Sequence, residues 1–171
     1  PHVLQRDPVK AELLHTRMLS GLIAGREKTR MISASPYVRE VSELAIGIYT
    51  PEGDNIAQST GIQAHSRSMG EALQWMIEQD WEGRVGIEPG DLFWFNECSI
   101  AGMHPADVYD ILPIFWHGEL VAWVVTVIME MDIGAISPGC MPVPNIERAT
   151  DGIRFAGEKV GTRDQLRHEH R

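Results

Sequence analysis

Residues 91–141 read DLFWFNECSIAGMHPADVYDILPIFWHGELVAWVVTVIMEMDIGAISPGCM, and this stretch decides the fold. Asp91 to Phe95 is short and aromatic, Val108 to Phe115 and Leu120 to Met131 are apolar, and the turn sequence Trp116-His117-Gly118-Glu119 separates the last two. Runs of this length, bounded by glycine, proline and polar residues, predict β-strands. We therefore expect the centre of the protein to be a sheet built largely from this region.

Ionisable side chains gather at the ends of these predicted strands. Asn96 and Glu97 follow the first strand, His104 and Asp107 precede the second, and Glu130 lies near the end of the third. A carboxylate at the end of an apolar strand is costly to bury unless it is paired or bound to a cation. His104 and Asp107 are three residues apart and can point the same way, and one imidazole with two carboxylates suits a divalent cation. The sequence therefore predicts a metal site of His104, Asp107 and Glu130; the alternative is that these residues cap turns or face solvent.

The first half of the chain predicts two helices with a hairpin between them. Asp7 as N-cap, followed by proline at the first helical position, is typical of a helix N-terminus. Leu44 to Thr50 and Asn55 to Ser59 are strand-like and flank the turn sequence Pro51-Glu52-Gly53-Asp54. Together with the sheet of residues 91–131, these elements predict an α/β or α+β fold with early helices and a mixed sheet.

His65 lies close to the predicted start of the second helix. Ser68 and Glu71 have the spacing of a capping box, which predicts that this helix begins at Ser68. A helix N-terminus presents free N–H groups and partial positive charge, which favour an anion such as a carboxylate, phosphate or bicarbonate. His65 is therefore a candidate site residue, and a surface loop histidine is the alternative.

Length and composition favour one globular domain and exclude some partners. The 171 residues, 43% of them hydrophobic, are enough for one domain with a core. The net charge of −9 argues against nucleic acid and anionic membranes as partners, because both require a basic surface. The apolar run Leu120 to Met131 is shorter than a membrane span requires.

The two cysteines, Cys98 and Cys140, are too few to indicate a disulfide framework. No signal peptide precedes the first predicted helix, so we expect a cytoplasmic location. Cys98 has no histidine placed by sequence to activate it, which favours a buried structural thiol over a nucleophile.

The end of the chain differs in composition from the rest. Beyond Met141 the sequence is polar and rich in glycine and proline. We therefore expect a domain over residues 1–145, followed at 146–171 by an irregular polar arm that lies on a partner or begins a longer subunit.

Several motifs occur together in this chain in a defined order. They are Asp7-Pro8-Val9, PEGDNIAQ at 51–58, HSRSMGEAL at 65–73, Asn96, SIAGMHPAD at 99–107, Asp132-Ile133-Gly134 and SPGCMP at 137–142. In this order they resemble the hydantoinase B family, which includes the corresponding half of 5-oxoprolinase and the large metal-binding subunits of acetone and acetophenone carboxylases. The chain resembles the N-terminal part of these proteins.

The resemblance implies a subunit or fragment of an ATP-dependent ketone carboxylase within a hetero-oligomer. Bicarbonate and a small ketone would be activated by phosphorylation and joined near a divalent metal, Mn, Zn or Mg, acting as a Lewis acid. His104, Asp107 and Glu130 would be its ligands, and Glu97 or His65 the acid/base group. ATP would be bound by a hydantoinase A-like partner subunit, because this sequence has no Gly-x-x-x-x-Gly-Lys-Ser/Thr loop.

The sequence departs from the family pattern in two ways that keep alternatives open. Family members have histidines just before Asp-Ile/Val-Gly-Gly, whereas this chain has Met129, Glu130 and Met131 there and Ala135 in place of the second glycine. Family subunits are also several times longer. The alternatives are a hydantoinase or oxoprolinase-type hydrolase of cyclic amides, and a non-catalytic assembly subunit. An apolar lining that excludes water favours the carboxylase, because water destroys a carbanion equivalent. The expected lining residues are Met103, Met129, Met131 and Phe95.

Overall fold

A seven-stranded sheet forms the centre of the chain in the computed structural model, which describes residues 7–137, 147 and 150–170. The strands are β1 (Leu44–Tyr49), β2 (Asn55–Gln58), β3 (Leu92–Phe95), β4 (Asp107–Trp116), β5 (Glu119–Met129), β6 (Ala156–Thr162) and β7 (Gln165–Leu166). Their order across the sheet is β2-β1-β5-β4-β3-β6-β7, and each neighbouring pair is antiparallel. The prediction of helices combined with a sheet built largely from residues 91–131 is confirmed, but the described strand pairs are all antiparallel, where the sequence predicted a mixed sheet.

The tight turn between β4 and β5 explains why these two strands pair along their whole length. His117 and Gly118 form a two-residue connection, and both have positive φ angles, 51° and 85°. Two positive φ angles in succession match the right-handed twist of a hairpin. The turn predicted at residues 116–119 therefore has the geometry that its sequence indicated.

Three α-helices accompany the sheet in the described residues, together with a π-helical turn at Tyr37–Val41 and a 3-10 turn at His168–His170. The α-helices are α1 (Pro8–Ile32), α2 (Ala64–Glu78) and the short α3 (Trp81–Arg84). The predicted cap of α1 is confirmed, because the Asp7 carboxylate accepts a hydrogen bond of 2.9 Å from the Lys10 N–H. The predicted start of α2 at Ser68 is wrong: the helix begins at Ala64, and the Ser68 hydroxyl donates to the carbonyl of His65 within it.

The helices cover different faces of the sheet. The face that includes Phe93, Phe95, Tyr109 and Val127 is fully buried, and the apolar side of α2 packs on it through Met69, Ala72, Leu73 and Met76. On the other face, Leu22 of α1 contacts Ile46 and Ala57. Because side chains alternate along a strand, successive residues of β4 belong to these two different environments.

Part of the predicted C-terminal arm belongs to the sheet. β6 pairs with β3, with Lys159 opposite Phe93 and Ala156 opposite Phe95, and Val160 is completely buried. The indole N–H of Trp81 also donates to the carbonyl of Gly157 at 2.8 Å. Residues 138–142 of the SPGCMP motif, including Cys140, lie outside the described residues.

Candidate functional site

The loop between β3 and β4 is held in place by one buried side chain, that of Asn96. Its amide NH₂ donates to the carbonyls of Pro105 and Ile153, at 2.6 and 3.0 Å. Its amide oxygen accepts from the N–H of Phe155 at 2.6 Å, and the side chain is completely buried. Since Pro105 follows His104 directly, Asn96 fixes the part of the loop that carries the predicted site residues.

His104 and Asp107 lie together where this loop enters β4. The Nε2 atom of His104 is 3.3 Å from Oδ2 of Asp107, and the side chains are 25% and 4% exposed. The contact lacks hydrogen-bond geometry, so Asp107 Oδ2 is buried without a hydrogen-bond partner among the described residues, and the same is true of the other ring nitrogen of His104, Nδ1. Each such atom costs about 1–3 kcal/mol in a folded protein. The pair is therefore stabilised by any ligand that satisfies these atoms.

The electrostatics of the pair favour the neutral forms. Burial, and after it the nearby negative charge of Glu43, raises the pKa of Asp107 from 3.8 to about 7. Burial lowers the pKa of His104, and Glu43 opposes that change. At neutral pH the protein therefore holds an imidazole that is mostly neutral beside a carboxyl group close to its titration midpoint.

Glu43 is a third ionisable residue near the pair, and the sequence analysis did not identify it. Its carbonyl accepts a hydrogen bond from the N–H of Met129 at 3.5 Å, and Met129 pairs with Asp107 across β5 and β4. Residues directly opposite in neighbouring strands share a face of the sheet. Glu43 and Asp107 therefore flank Met129 on one face. A carboxylate immediately before the apolar strand Leu44–Tyr49 was the signal for it in the sequence.

His65 adds a second imidazole to this cluster. It lies in the first turn of α2, is 5% exposed, and its ring meets that of Tyr109 edge to face with centroids 6.4 Å apart. Burial, with a smaller effect of His104, lowers the pKa of His65, and its buried Nδ1 has no hydrogen-bond partner in the part of the chain that the structure describes. The hydroxyl of Tyr109 donates to Ser68 Oγ at 2.8 Å. The structure thus places His65 beside the His104–Asp107 pair, although on a helix rather than in the predicted loop.

Glu97 has contacts that fix the loop. Its Oε1 accepts from the backbone N–H and the hydroxyl of Ser99, at 2.8 and 2.7 Å, and lies 3.5 Å from the Arg154 guanidinium. Its backbone carbonyl accepts from three successive N–H groups, those of residues 100, 101 and 102. The neighbouring Cys98 is partly buried, with Sγ 3.5 Å from the carbonyl of Asn96. The acid/base role of Glu97 stays a prediction.

Glu130 lies apart from its predicted partners. Asp107 pairs with Met129, so the next residue projects from the other face of the sheet, where Glu130 borders a cavity with Asp110. Within the described residues, no group of three or more histidine, cysteine, aspartate or glutamate side chains is arranged to hold a metal ion. The structure therefore brings together His104 and Asp107, with Glu43 nearby, but not the complete predicted set.

The antiparallel sheet and its helices define an α+β protein. Its polar site is the largely buried His104–Asp107 pair, which lies near His65 of α2. The class is specified further by sequence, because the family model described as Hydantoinase B/oxoprolinase matches residues 7–171. The chain belongs to this family.

Individual relatives agree with this assignment. The chain is 39% identical over 162 residues to the acetone carboxylase alpha subunit of Xanthobacter autotrophicus, which covers 95% of this chain and 21% of that subunit. It is 28% identical to the acetophenone carboxylase delta subunit of Aromatoleum aromaticum, over 72% of this chain and 18% of that subunit. A nucleotide-free structure of acetone carboxylase superposes with a TM-score of 0.94 at 38% identity, over 98% of this chain and 22% of that one. The chain thus spans about one fifth of the length of these relatives.

The described helices give no membrane segment. None of them is both long enough and apolar enough to cross a bilayer.

Proposed function

We propose that this chain forms part of the metal-binding subunit of an ATP-dependent ketone carboxylase, with the His104–Asp107 pair at the site of carbon–carbon bond formation. The main support is the 39% identity to the acetone carboxylase alpha subunit over 95% of the chain. The cluster of His104, Asp107, Glu43 and His65 offers groups that could bind a cation and transfer a proton. ATP would be bound by a separate hydantoinase A-like subunit, and bicarbonate and a small ketone would be the substrates.

The unsatisfied atoms of the cluster fit a divalent cation. Within the described ranges, His104 Nδ1 and Asp107 Oδ2 are buried without a hydrogen-bond partner, and the charge of Glu43 already acts on both side chains. Two oxygen donors and one imidazole suit Mn or Mg more than a thiolate-preferring metal, and substrate oxygens, water or further protein ligands would complete the set. When bound, the metal would polarise a carboxylate or enolate oxygen.

His65 is the residue of this cluster best suited to move a proton. Its lowered pKa keeps the ring neutral at pH 7, so one nitrogen can accept a proton while the other donates one. Its contact with the ring of Tyr109 holds the imidazole in one orientation. Glu97 remains the second proposed acid/base group, acting from the loop that Asn96 fixes.

The apolar surroundings of the cluster support carboxylation over hydrolysis. Phe95 is completely buried and stacks on Tyr109, with centroids 6.2 Å apart, and Met129 is buried between Asp107 and Glu43. Met103 and Met131, which the sequence also indicated as apolar lining, are about half exposed. An enclosed apolar wall protects a carbanion equivalent from protonation by water.

The test uses the complex that forms when this chain is purified with its ATP-binding partner. The complex receives ATP and labelled bicarbonate with a panel of small ketones, and in parallel reactions hydantoins or 5-oxoproline. We expect label in a 3-oxo acid, its loss in His104→Ala, and its retention in the matched surface variant Asp54→Asn. Ring opening without label uptake identifies the cyclic amide hydrolase instead, and no turnover with retained assembly identifies a scaffolding subunit.

A further inference from the structure

A cavity of about 340 Å³ lies on the face of the sheet opposite α2. Its floor is made by side chains of β3, β4 and β5: Trp94 is directly opposite Asp110, and Ile128 is opposite Val108, two residues along β4 from Asp110. The segment leading into β6 closes it through Phe155, whose ring meets that of Trp94 at a centroid distance of 5.1 Å. This cavity is separate from the His104–Asp107 cluster, because the sheet itself lies between them.

The lining combines apolar walls with carboxylates only. Six of the nine lining residues are aliphatic or aromatic, and the other three are Asp110, Glu130 and Asp132. None of these described residues carries a positive charge. Oδ1 of Asp110 accepts a hydrogen bond of 2.8 Å from the indole N–H of Trp94, which fixes the carboxyl group in the floor of the cavity.

The carboxyl groups repel each other across this space. Burial raises the pKa of Asp110 to about 6; the Trp94 hydrogen bond opposes that rise, and the negative charge of Glu130 adds to it. A cation between the two groups would remove this repulsion. A bare metal ion is a poor candidate, because most of the lining is apolar and a hard cation prefers oxygen or water on several sides. An ion with an apolar body fits better, because the aliphatic and aromatic lining residues offer apolar surface to its hydrocarbon part.

We propose that this cavity binds a small primary amine in its ammonium form, with the charged head between Asp110 and Glu130 and the hydrocarbon body against Trp94, Phe155 and Ile128. The volume is in the range of small-molecule sites, where a few polar groups orient a mainly apolar ligand. The proposal does not depend on the carboxylase assignment.

The test is isothermal titration of the full chain with n-butylammonium chloride at pH 8, where Asp110 is ionised. We expect saturable one-to-one binding, and affinity that rises roughly fourfold per methylene from methylammonium to butylammonium as apolar surface is buried. The neutral analogue 1-butanol should bind roughly tenfold more weakly or worse, because it lacks a charge-assisted hydrogen bond.

The variants separate the site from non-specific binding. Asp110→Asn should weaken n-butylammonium binding roughly tenfold, and Glu130→Gln, at a more exposed position that does not endanger folding, should weaken it several-fold. Asp54→Asn, on a distant surface, should bind as the wild type does. Equal binding of the alcohol and the amine, wild-type affinity in both Asp110→Asn and Glu130→Gln, absence of saturable binding, or displacement of the amine by Mn²⁺ at this site would each overturn the proposal.

Discussion

The replacement Asp107→Asn gives the sharpest test of the electrostatics of the candidate site. Asp107 is 4% exposed, and its pKa is raised from 3.8 to about 7. A difference of one in pKa equals about 1.4 kcal/mol, so this group accounts for at most about 4 kcal/mol of pH-dependent stability. Because the folded state holds the proton more tightly, this stability is fully present below about pH 4 and is lost as the pH rises through about 7.

The assay is urea denaturation of the wild type and of Asp107→Asn between pH 4 and pH 8. Asparagine keeps the shape but cannot ionise, so the variant should lose about 2–4 kcal/mol less stability over this range than the wild type. Other groups contribute to the pH dependence of both proteins: the raised pKa of Asp110, about 6, acts in the same direction as Asp107, and the lowered pKa values of His65 and His104 act in the opposite direction. The difference between the two proteins therefore isolates Asp107. The exposed replacement Asp54→Asn is the matched control and should follow the wild type.

Adding Mn²⁺ at pH 8 distinguishes a metal site from a buried pair with a purely structural role. A cation that binds ionised Asp107 should restore stability to the wild type, by about 2.7 kcal/mol at a hundredfold excess over its Kd, and should not restore it to Asp107→Asn. Identical pH profiles for the two proteins would refute the electrostatic argument. Equal stabilisation of both by Mn²⁺ would refute the assignment of Asp107 as a ligand.

Three further predictions concern the metal site, the loop between β3 and β4, and the ATP-binding partner. Met129→His should tighten Mn²⁺ or Zn²⁺ binding roughly tenfold by titration calorimetry, because it places a nitrogen donor on the face shared by Asp107 and Glu43; unchanged affinity would show that residue 129 does not face the cation. Asn96→Ala should lower the free energy of unfolding, measured by urea denaturation, by about 3 kcal/mol, which is about 1 kcal/mol for each of its three hydrogen bonds. A loss below about 1 kcal/mol would contradict the conclusion that Asn96 holds the loop in place. The purified chain should not hydrolyse ATP and should co-purify with a larger ATP-binding subunit, and a stable monomer with ATPase activity in sedimentation would contradict both expectations.

The strands around the site were predictable because their sequences are long and apolar with clear boundaries. Residues 92–129 contain β3, β4 and β5 almost as the composition indicated, and the positive-φ turn at His117 and Gly118 fixes the pairing of β4 with β5. The start of α2 was not predictable from Ser68 and Glu71, because Ser68 uses its hydroxyl for the carbonyl of His65 and for Tyr109. β6 was missed because Ala156–Thr162 contains two glycines and little alternation, so its strand conformation depends on pairing with β3.

The site residues that are close in sequence were predictable, and those brought together by strand order were not. The spacing of His104 and Asp107 is local, and the structure brings the two together. Glu43 reaches them only because β1 lies beside β5, and strand order is not encoded in local sequence. Glu130 was predicted to join them because it lies at the same end of the sheet. A shift of one residue along a strand moves a side chain to the other face, and Met129, not Glu130, is opposite Asp107.

The loop that Asn96 holds depends on residues that are synthesised later in the chain. The bond of Asn96 to Phe155 joins residues 59 positions apart, and β3 has β6 as its neighbour on that side. During synthesis β3, the loop and the β4–β5 hairpin emerge long before β6, so one edge of β3 is unpaired in the nascent chain. Such an edge is where strands of other chains add, and closing a long loop is slow. If a neighbouring chain occupied that edge, β6 could not pair with β3, and Asn96 could not form its bond to Phe155. A chaperone that covers the edge until β6 is synthesised would allow the loop that carries His104 to form.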